Sequence, residues 1–258
     1  GLQNIFTSAR FGKTENKNQF TYAHNETDGY RVQTKMRRDN FSWISQIKLS
    51  DRQELKASVL FTDMYYQTPG ALTLAEFTAN PKQARPAGGG FPSAVNAHAA
   101  IIQKNITAGF TNIYQLSSLI KNSTTLYGAF SQIKNPAIRN YERRNEPSFG
   151  GRTFFTYQKK VRTTGPDENI FQLIGGSEFQ KGYFNTQVSK NKNGNPDTLQ
   201  TNDDINYTTY NFFLQGDVNL DEKWLVNAGI SLNRTKVSFT RLNKYPVTTQ
   251  KRTYQNEL

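Results

Sequence analysis

The chain has 258 residues, a net charge of +12 and no cysteine, with 35% hydrophobic and 13% aromatic residues. The missing cysteines exclude disulfides, thiolate catalysis and cysteine-based zinc sites, and no apolar run approaches the ~18 residues of a transmembrane helix. The aromatic share is too high for a disordered chain. A low aliphatic share with many aromatics suits strands that face an apolar medium on one side and water on the other.

In chain order, the first predicted strands lie around Phe6–Phe11 and Phe20–His24. A clearer pair follows, because apolar and polar residues alternate along 41–49 and again along 55–62. Further strands centre on residues 110–116, 126–130, 155–157, 171–179, 212–220 and 224–232. The sequence therefore predicts about ten antiparallel strands. No linker interrupts the pattern, so residues 1–258 are interpreted as one domain.

The connections between these strands alternate in length. Short turns are predicted near 50–53, 117–122, 163–168 and 221–223. Long polar connections are predicted near 66–100, 134–150, 188–208 and 241–255. Short turns at one end and long loops at the other are typical of an outer-membrane barrel, whereas a soluble sandwich with Greek-key connections does not keep this order. The predicted fold class is therefore all-β, an antiparallel transmembrane β-barrel, with a soluble all-β protein as the alternative.

The first long connection opens a series of motifs. It reads DMYYQTPGALT and then LAEFTANPKQARP, which joins a Pro-Gly turn, a short helical segment and a proline-containing run. Downstream, residues 138–141 (IRNY) are followed by Glu146-Pro147, and residues 27–31 (TDGYR) form an early loop. In this order, over most of the chain, the segments resemble the ferric-dicitrate branch of the TonB-dependent outer-membrane receptors.

The resemblance implies a barrel of about 22 strands whose lumen is plugged by an N-terminal domain. The present chain would then be an internal piece, a partial barrel without the plug, the TonB-contacting segment and the remaining strands. The implied function is uptake of a ferric siderophore, ferric citrate or a related anionic iron chelate across the Gram-negative outer membrane, energised through TonB. Neither an enzymatic activity nor a cofactor is implied, since iron enters only within the transported chelate. A passive porin, and a receptor for haem, cobalamin or an oligosaccharide, remain alternatives.

Basic residues concentrate in the long connections. Citrate-based iron chelates are polyanions and arginine binds carboxylates with two parallel hydrogen bonds, so a basic extracellular mouth has a direct purpose. By the resemblance, Arg139 falls on the family's Arg-Asn-Tyr position, and Lys134 stands where another basic ligand residue is expected. The predicted ligand-binding residues are Arg139, Lys134, Arg143, Arg144, Arg85 and Tyr141. The alternative is that these charges are solvated or bind the phosphates of lipopolysaccharide in the outer membrane.

The remaining motifs predict no further site. A lone histidine is more often an ordinary polar residue than a haem ligand, which applies to His24 and to His98 in the first long connection. Gly88–Gly90 lacks the strand–glycine–helix context of a phosphate loop and is interpreted as a flexible hinge. The spacing of Asp197 and Asp203-Asp204 fits no calcium loop. Nucleic acid is not expected as a partner, because the basic residues are spread over many loops and not gathered on one face.

Overall fold

The computed structural model describes residues 1–162, 168–220 and 224–255, which form one antiparallel sheet whose strand order follows the sequence. Its described strands are β1 (Leu2–Lys13), β2 (Asn16–Thr27), β3 (Met36–Ser50), β4 (Gln53–Gln67), β5 (Ala100–Gln115), β6 (Ile120–Pro136), β7 (Asn140–Arg162), β8 (Glu168–Lys192), β9 (Asn195–Leu220), β10 (Trp224–Arg241) and β11 (Thr249–Gln255). A short helix, α1 (Leu74–Ala79), lies between β4 and β5. None of the helices in the described ranges is long and apolar enough to cross a membrane.

One side of the sheet, which we call the apolar face, carries large apolar side chains from strand to strand. The ring centroid of Phe20 lies 5.6 Å from that of Phe11 and 6.2 Å from that of Trp43, and both pairs are stacked. Small residues also occur on this face, as Ala108 and Gly128 show. One register row of this face runs through Phe20, Trp43, Val59, Ala108, Gly128 and Phe149.

The opposite side, which we call the polar face, carries the alternate residues of each strand, since successive side chains of a strand point to opposite sides. Its side chains form hydrogen bonds between strands, such as the one that Tyr127 Oη donates to Glu178 Oε1 at 2.9 Å. The adjacent register row on this face runs through Thr21, Ser42, Leu60, Thr107, Ala129, Ser148, Gly182 and Tyr207. The predicted separation of an apolar and a polar side is confirmed.

The described part of the sheet encloses no packed apolar core. No large side chain there is fully buried, and the buried hydrophobic residues are alanines of the β4–β5 connection, Ala100 at the start of β5, and Tyr141. On the apolar face, Phe149 is 57%, Phe212 58% and Ile230 59% exposed. Apolar surface of this extent is unfavourable in water at about 25 cal/mol per Å². The face therefore needs an apolar medium such as lipid, which argues against the soluble alternative.

The two ends of the sheet differ in their connections, as predicted for two of the short turns and for the first long loop. β3 ends at Ser50 and β4 begins at Gln53, and only residues 116–119 separate β5 from β6. At the other end, which we call the long-connection end, residues 68–99 join β4 to β5. The predicted turns at 163–168 and 221–223 lie wholly or almost wholly outside the described residues.

Two of the predicted long loops are wrong. β6 runs to Pro136 and β7 begins at Asn140, and β8 and β9 are separated only by residues 193–194. Strands β7, β8 and β9 have 23, 25 and 26 residues, whereas a membrane-crossing strand needs about 9–11. The polar segments at 134–150 and 188–208 are therefore hairpins that continue the sheet beyond the membrane. The predicted connection at 241–255 is a loop only over 242–248 and then becomes β11.

Candidate functional site

The β4–β5 connection, residues 68–99, folds into a small body of its own at the long-connection end. Helix α1 begins with a capping box in which Thr73 and Glu76 bond each other's backbone N–H groups, which confirms the predicted helical segment. A cluster of buried alanines lies behind it, and their small side chains let the loop backbone pack closely: Ala84, Ala94, Ala97 and Ala99.

Arg85 holds this loop together from inside. Its Nη1 donates to the carbonyls of Pro92 at 3.0 Å and Pro86 at 3.3 Å, and its Nη2 donates to the carbonyl of Gly88 at 3.4 Å. Backbone N–H groups of Arg85 and Ala94 add bonds across the same loop. The guanidinium is thereby engaged with carbonyl groups around Gly88–Gly90, the segment interpreted from sequence as a hinge.

Arg31 ties the same loop to the β2–β3 connection. Its Nη2 donates to the carbonyls of Gln83 at 2.9 Å and Gly70 at 3.1 Å, and its Nε donates to Gln83 O at 3.1 Å. Gly70 has φ of +73°, and a Cβ there would lie 2.8 Å from Arg85 Cβ, so glycine is required at this crossing. The sequence indicates only that residues 27–31 form a loop, because long-range bonds to carbonyls leave no local pattern.

Asn191 joins three connections. Its Nδ2 donates to the carbonyls of Ala97 at 2.8 Å and Ala137 at 2.6 Å, and its Oδ1 accepts from the N–H of Gly194 at 2.9 Å. Through this one side chain, the tips of the β6–β7 and β8–β9 hairpins are fixed to the loop of residues 68–99. Sequence reasoning missed Asn191, since asparagine near a glycine also signals an ordinary turn.

Arg139 lies at the β6–β7 turn and is exposed. The centre of its guanidinium lies 4.0 Å from the ring centroid of Phe91 in the 68–99 loop, which is within cation–π range. Its carbonyl accepts from the N–H of Asn191 at 3.1 Å. Among the described residues, Arg139 forms no ion pair. The turn therefore presents a positive charge whose planar group is oriented by an aromatic ring.

Arg144 lies on the polar face and is already neutralised. Its Nε lies 3.2 Å from Glu142 Oε1, its Nη1 lies 3.5 Å from Glu146 Oε1, and its guanidinium lies 5.5 Å from the ring centroid of Phe184. The contact with Glu142 is an ion pair without good hydrogen-bond geometry, since Arg144 Nε has no hydrogen-bond partner. Glu142 instead accepts a bond from Thr186 Oγ1 at 3.1 Å.

Lys134 and Arg143 are register partners across β6 and β7. Lys134 lies four positions beyond Phe130, and Arg143 lies six positions before Phe149, so both lie on the apolar face. Both are exposed. Arg143 stands 5.5 Å above the ring of Tyr141, which is itself only 6% exposed.

The structure does not bring the six predicted residues into one cluster. Arg85 and Arg139 belong to the connections, Arg144 lies on the polar face, and the other three lie on the side of the apolar face. Their role as ligand contacts stays a prediction for each residue.

Sequence reasoning also missed Arg152, an exposed arginine on the polar face in the middle of β7. Its register partner is Glu178, but the guanidinium lies instead 4.8 Å from the ring centroid of Phe213 and 5.5 Å from that of Phe154. Glu178 accepts its hydrogen bond from Tyr127. The alternation of apolar and polar residues along β7 places Arg152 on the polar face, but an isolated arginine in a strand forms no recognisable motif.

A second charged network, also missed, lies on the apolar face just beyond its aromatic stretch. Asp39 Oδ1 accepts from Tyr22 Oη and contacts His24 Nδ1, both at 2.7 Å, and Asp39 Oδ2 lies 3.0 Å from Arg37 Nη1. The hydrogen bonds from His24 and Tyr22 hold the pKa of Asp39 below its usual value. The described residues contain no group of acidic residues and histidines that could hold a metal ion.

In comparisons with known proteins, neither a family model nor a curated protein matches the sequence. The structure resembles the ferric citrate transporter FecA in its unliganded form, with a TM-score of 0.77 at 10% identity over 98% of this chain and 37% of FecA. It also resembles the siderophore receptor PiuA from Acinetobacter baumannii, with a TM-score of 0.75 at 12% identity over 99% of this chain and 44% of that receptor. The copper transporter OprC has a TM-score of 0.63 at 13% identity over 98% of this chain and 40% of OprC.

The chain spans about two fifths of the length of these transporters and receptors. Identities of this size reflect a shared fold, and the three proteins differ in the cargo that their names give. The continuous antiparallel sheet, the apolar and polar faces and the unequal ends all agree with that fold. The chain has the all-β, antiparallel fold of part of a TonB-dependent receptor barrel.

Proposed function

We propose that the chain is part of a Gram-negative outer-membrane receptor that takes up a ferric siderophore and is energised through TonB. The fold shared with FecA, PiuA and other siderophore receptors supports this assignment. The chain would form part of the barrel wall, and a plug domain elsewhere in the protein would contact TonB. No chemistry is done on the ligand, iron enters only within the chelate, and selectivity comes from differential binding.

The proposed ligand is ferric citrate or a related anionic iron chelate. The observation that carries this choice is the exposed Arg139 at the β6–β7 turn, which no described carboxylate neutralises. A guanidinium oriented by Phe91 offers parallel N–H donors to a carboxylate at little entropic cost. Arg85, in contrast, would act by holding the shape of the 68–99 loop, since its donors already meet carbonyl groups.

Binding of ferric citrate to the full-length protein tests this proposal. Substitution Arg139→Ala removes a charge-assisted contact, so the affinity should fall by about ten- to a hundredfold. Arg52→Ala is the matched control, because Arg52 is also exposed but lies in the β3–β4 turn at the opposite end of the sheet. Equal affinities of the two variants would remove Arg139 from the site.

Growth supplies an independent test of the function. Under iron limitation with ferric citrate as the iron source, deletion of the gene should abolish growth, and so should deletion of TonB. A strain that grows without the gene product, or an intact protein without a plug domain, would contradict the receptor assignment. The passive porin predicts uptake that does not depend on TonB.

A further inference from the structure

A pocket of about 410 Å³ lies on the polar face beside Pro147 of β7. The register between β7 and β8 stops after Asn145 and resumes at Ser148, so that Glu146 and Pro147 are paired only with β6. Proline has no N–H group to donate and therefore interrupts a ladder of strand hydrogen bonds. Pockets for small ligands have volumes of about 300–1,000 Å³. The Glu146-Pro147 motif of the sequence thus coincides with a space large enough for a small ligand.

Tyr207 of β9 gives this pocket an aromatic surface. Its register partner on β8 is Gly182, where an added Cβ would lie 2.2 Å from Tyr207 Cζ and 2.4 Å from Tyr207 Oη. The ring therefore leans across the sheet and covers the backbone of Gly182, which leaves its other side to the pocket. The face of an aromatic ring is electrically negative. It attracts C–H groups that carry a partial positive charge.

The polar side chains around this ring are available to a ligand. Those that line the pocket and form no side-chain hydrogen bond with a described residue are Asn105, Thr107, Ser148 and Tyr207. Together they offer both donors and acceptors. Glu146 adds a carboxylate, which lies 3.5 Å from Arg144 in a loose ion pair. A ligand with several hydroxyl groups would form hydrogen bonds with all of these side chains.

The charges next to the pocket disfavour an anionic ligand. Arg144 lies between the carboxylates of Glu142 and Glu146, and Arg241 is paired with Asp203. Three carboxylates thus face two guanidinium groups, which leaves one net negative charge. Carboxylate and catecholate chelates would be repelled by it. A neutral aryl group would stack on the ring but would leave the amide and hydroxyl groups without partners.

The pocket is separate from the turn that carries Arg139. Glu146 follows Arg139 by seven positions, a distance of roughly 23 Å along the extended strand β7. A sugar ring attached directly to citrate is too short to reach from one to the other. A ligand beside Tyr207 would therefore leave Arg139 free for a chelate.

We propose that this pocket binds one ring of a neutral oligosaccharide, a different class of ligand from the anionic chelate of the proposed function. The C–H groups on one side of the sugar ring would stack on Tyr207. Glu146 would accept hydrogen bonds from two adjacent hydroxyl groups, and such charge-assisted bonds are the strong ones. The site depends on Tyr207, Glu146 and the break at Pro147, so it does not require that ferric citrate is the chelate.

The test is titration calorimetry of the full-length protein in detergent with four neutral disaccharides: maltose, cellobiose, lactose and mannobiose. Tyr207→Ala removes the stacking surface, and Tyr127→Ala is the matched control. Tyr127 also leans over a glycine of the polar face, but its hydroxyl donates to Glu178 and its ring does not line the pocket. Heat-dependent gel mobility reports folding. If either alanine variant fails to fold, Glu146→Gln and the control Glu178→Gln replace the pair.

At least one disaccharide should bind the wild-type protein and Tyr127→Ala with equal affinity, and should bind Tyr207→Ala about tenfold more weakly. Glu146→Gln should also bind it about tenfold more weakly. In addition, Glu146→Gln should no longer discriminate against the same disaccharide with one ring oxidised to a uronic acid, because the repelling carboxylate is gone. A purely structural role of Glu146 would not change this discrimination.

Absence of binding for all four disaccharides would overturn the proposal, and so would equal losses in Tyr207→Ala and Tyr127→Ala. Binding of 2,3-dihydroxybenzoate in their place, dependent on Tyr207, would make the pocket an aryl site and would also overturn it. Ferric citrate should bind Tyr207→Ala as tightly as it binds the wild-type protein. Failure of the wild-type protein to bind ferric citrate would refute the proposed chelate and leave the disaccharide result intact.

Discussion

Gly176 on β8 offers a sharp test of how closely the strands approach. It lies on the polar face opposite Phe154 of β7, and an added Cβ would lie 2.5 Å from Phe154 Cβ and closer still to the backbone carbonyl of Thr153. Real Cβ atoms do not approach so closely, so Gly176→Ala requires the backbones of β7 and β8 to move. Rotation of a side chain cannot relieve the clash, because the nearest atoms belong to the neighbouring backbone and to the Cβ of Phe154.

The expected cost of Gly176→Ala is about 2–3 kcal/mol, the upper part of the range for overpacking. Gly109→Ala is the matched control, since Gly109 also lies on the polar face and its Cβ would have ordinary contacts from 3.7 Å outward. Alanine restricts the unfolded chain, so the control should be stabilised by about 0.5 kcal/mol. Gly182→Ala should fall between the two, because the atoms that it meets are the far end of the Tyr207 ring.

The assay is reversible unfolding of the full-length protein by denaturant, in lipid or detergent. The free energy of unfolding is compared between variants whose dependence on denaturant concentration has the same slope. The difference between Gly176→Ala and Gly109→Ala should be about 2.5–3.5 kcal/mol. A difference below about 0.5 kcal/mol would refute the reasoning, because it would mean that β7 and β8 have room for a side chain at this position.

Three further predictions concern the long-connection end. Asn191→Ala removes the side-chain donors to the carbonyls of Ala97 and Ala137, which costs about 1–3 kcal/mol of loop docking. Proteases should therefore cut residues 68–99 faster than in the control Asn195→Ala, whose side chain donates to the nearby carbonyl of Asn193. The hydrogen bond from Tyr183 to Asp204 raises the pKa of Tyr183 to about 12. The stabilising effect of this hydrogen bond should therefore be complete below pH ~10 and lost as the pH rises through about 12. Ultraviolet titration should show the ionisation step of Tyr183. The step should be absent in Tyr183→Phe and should move to lower pH in Asp204→Asn. Arg241 donates two hydrogen bonds, of 2.8 and 2.9 Å, to the carboxylate of the buried Asp203, and Arg241→Gln breaks this ion pair. Amide hydrogen exchange should therefore accelerate at residues 202–204 and 240–242, whereas Lys244→Gln should leave it unchanged.

Within the membrane, alternation was sufficient to predict the strands, because lipid on one side and water on the other impose a period of two. Residues 212–220 and 224–232 show this, since register places Leu214 beside Ile230 and Phe212 beside Leu232 on one face. The connections that fold against each other carry no such signal. Arg31, Arg85 and Asn191 act through backbone carbonyls that are distant in sequence, and a donor–carbonyl bond leaves no pattern in side-chain type.

Beyond the membrane, water bathes both faces of the hairpins, so polarity no longer alternates although the backbone bonds continue. Residues 134–150 therefore resemble a loop in sequence but continue as β6 and β7. In a loop, the direction of Lys134 would be undefined. In a strand it is fixed, because four positions beyond Phe130 is the same face. Extension of the strand by this count places Lys134 and Arg143 on the side of the apolar face, and a position on the side of the polar face would require the register of β6 and β7 to shift by one.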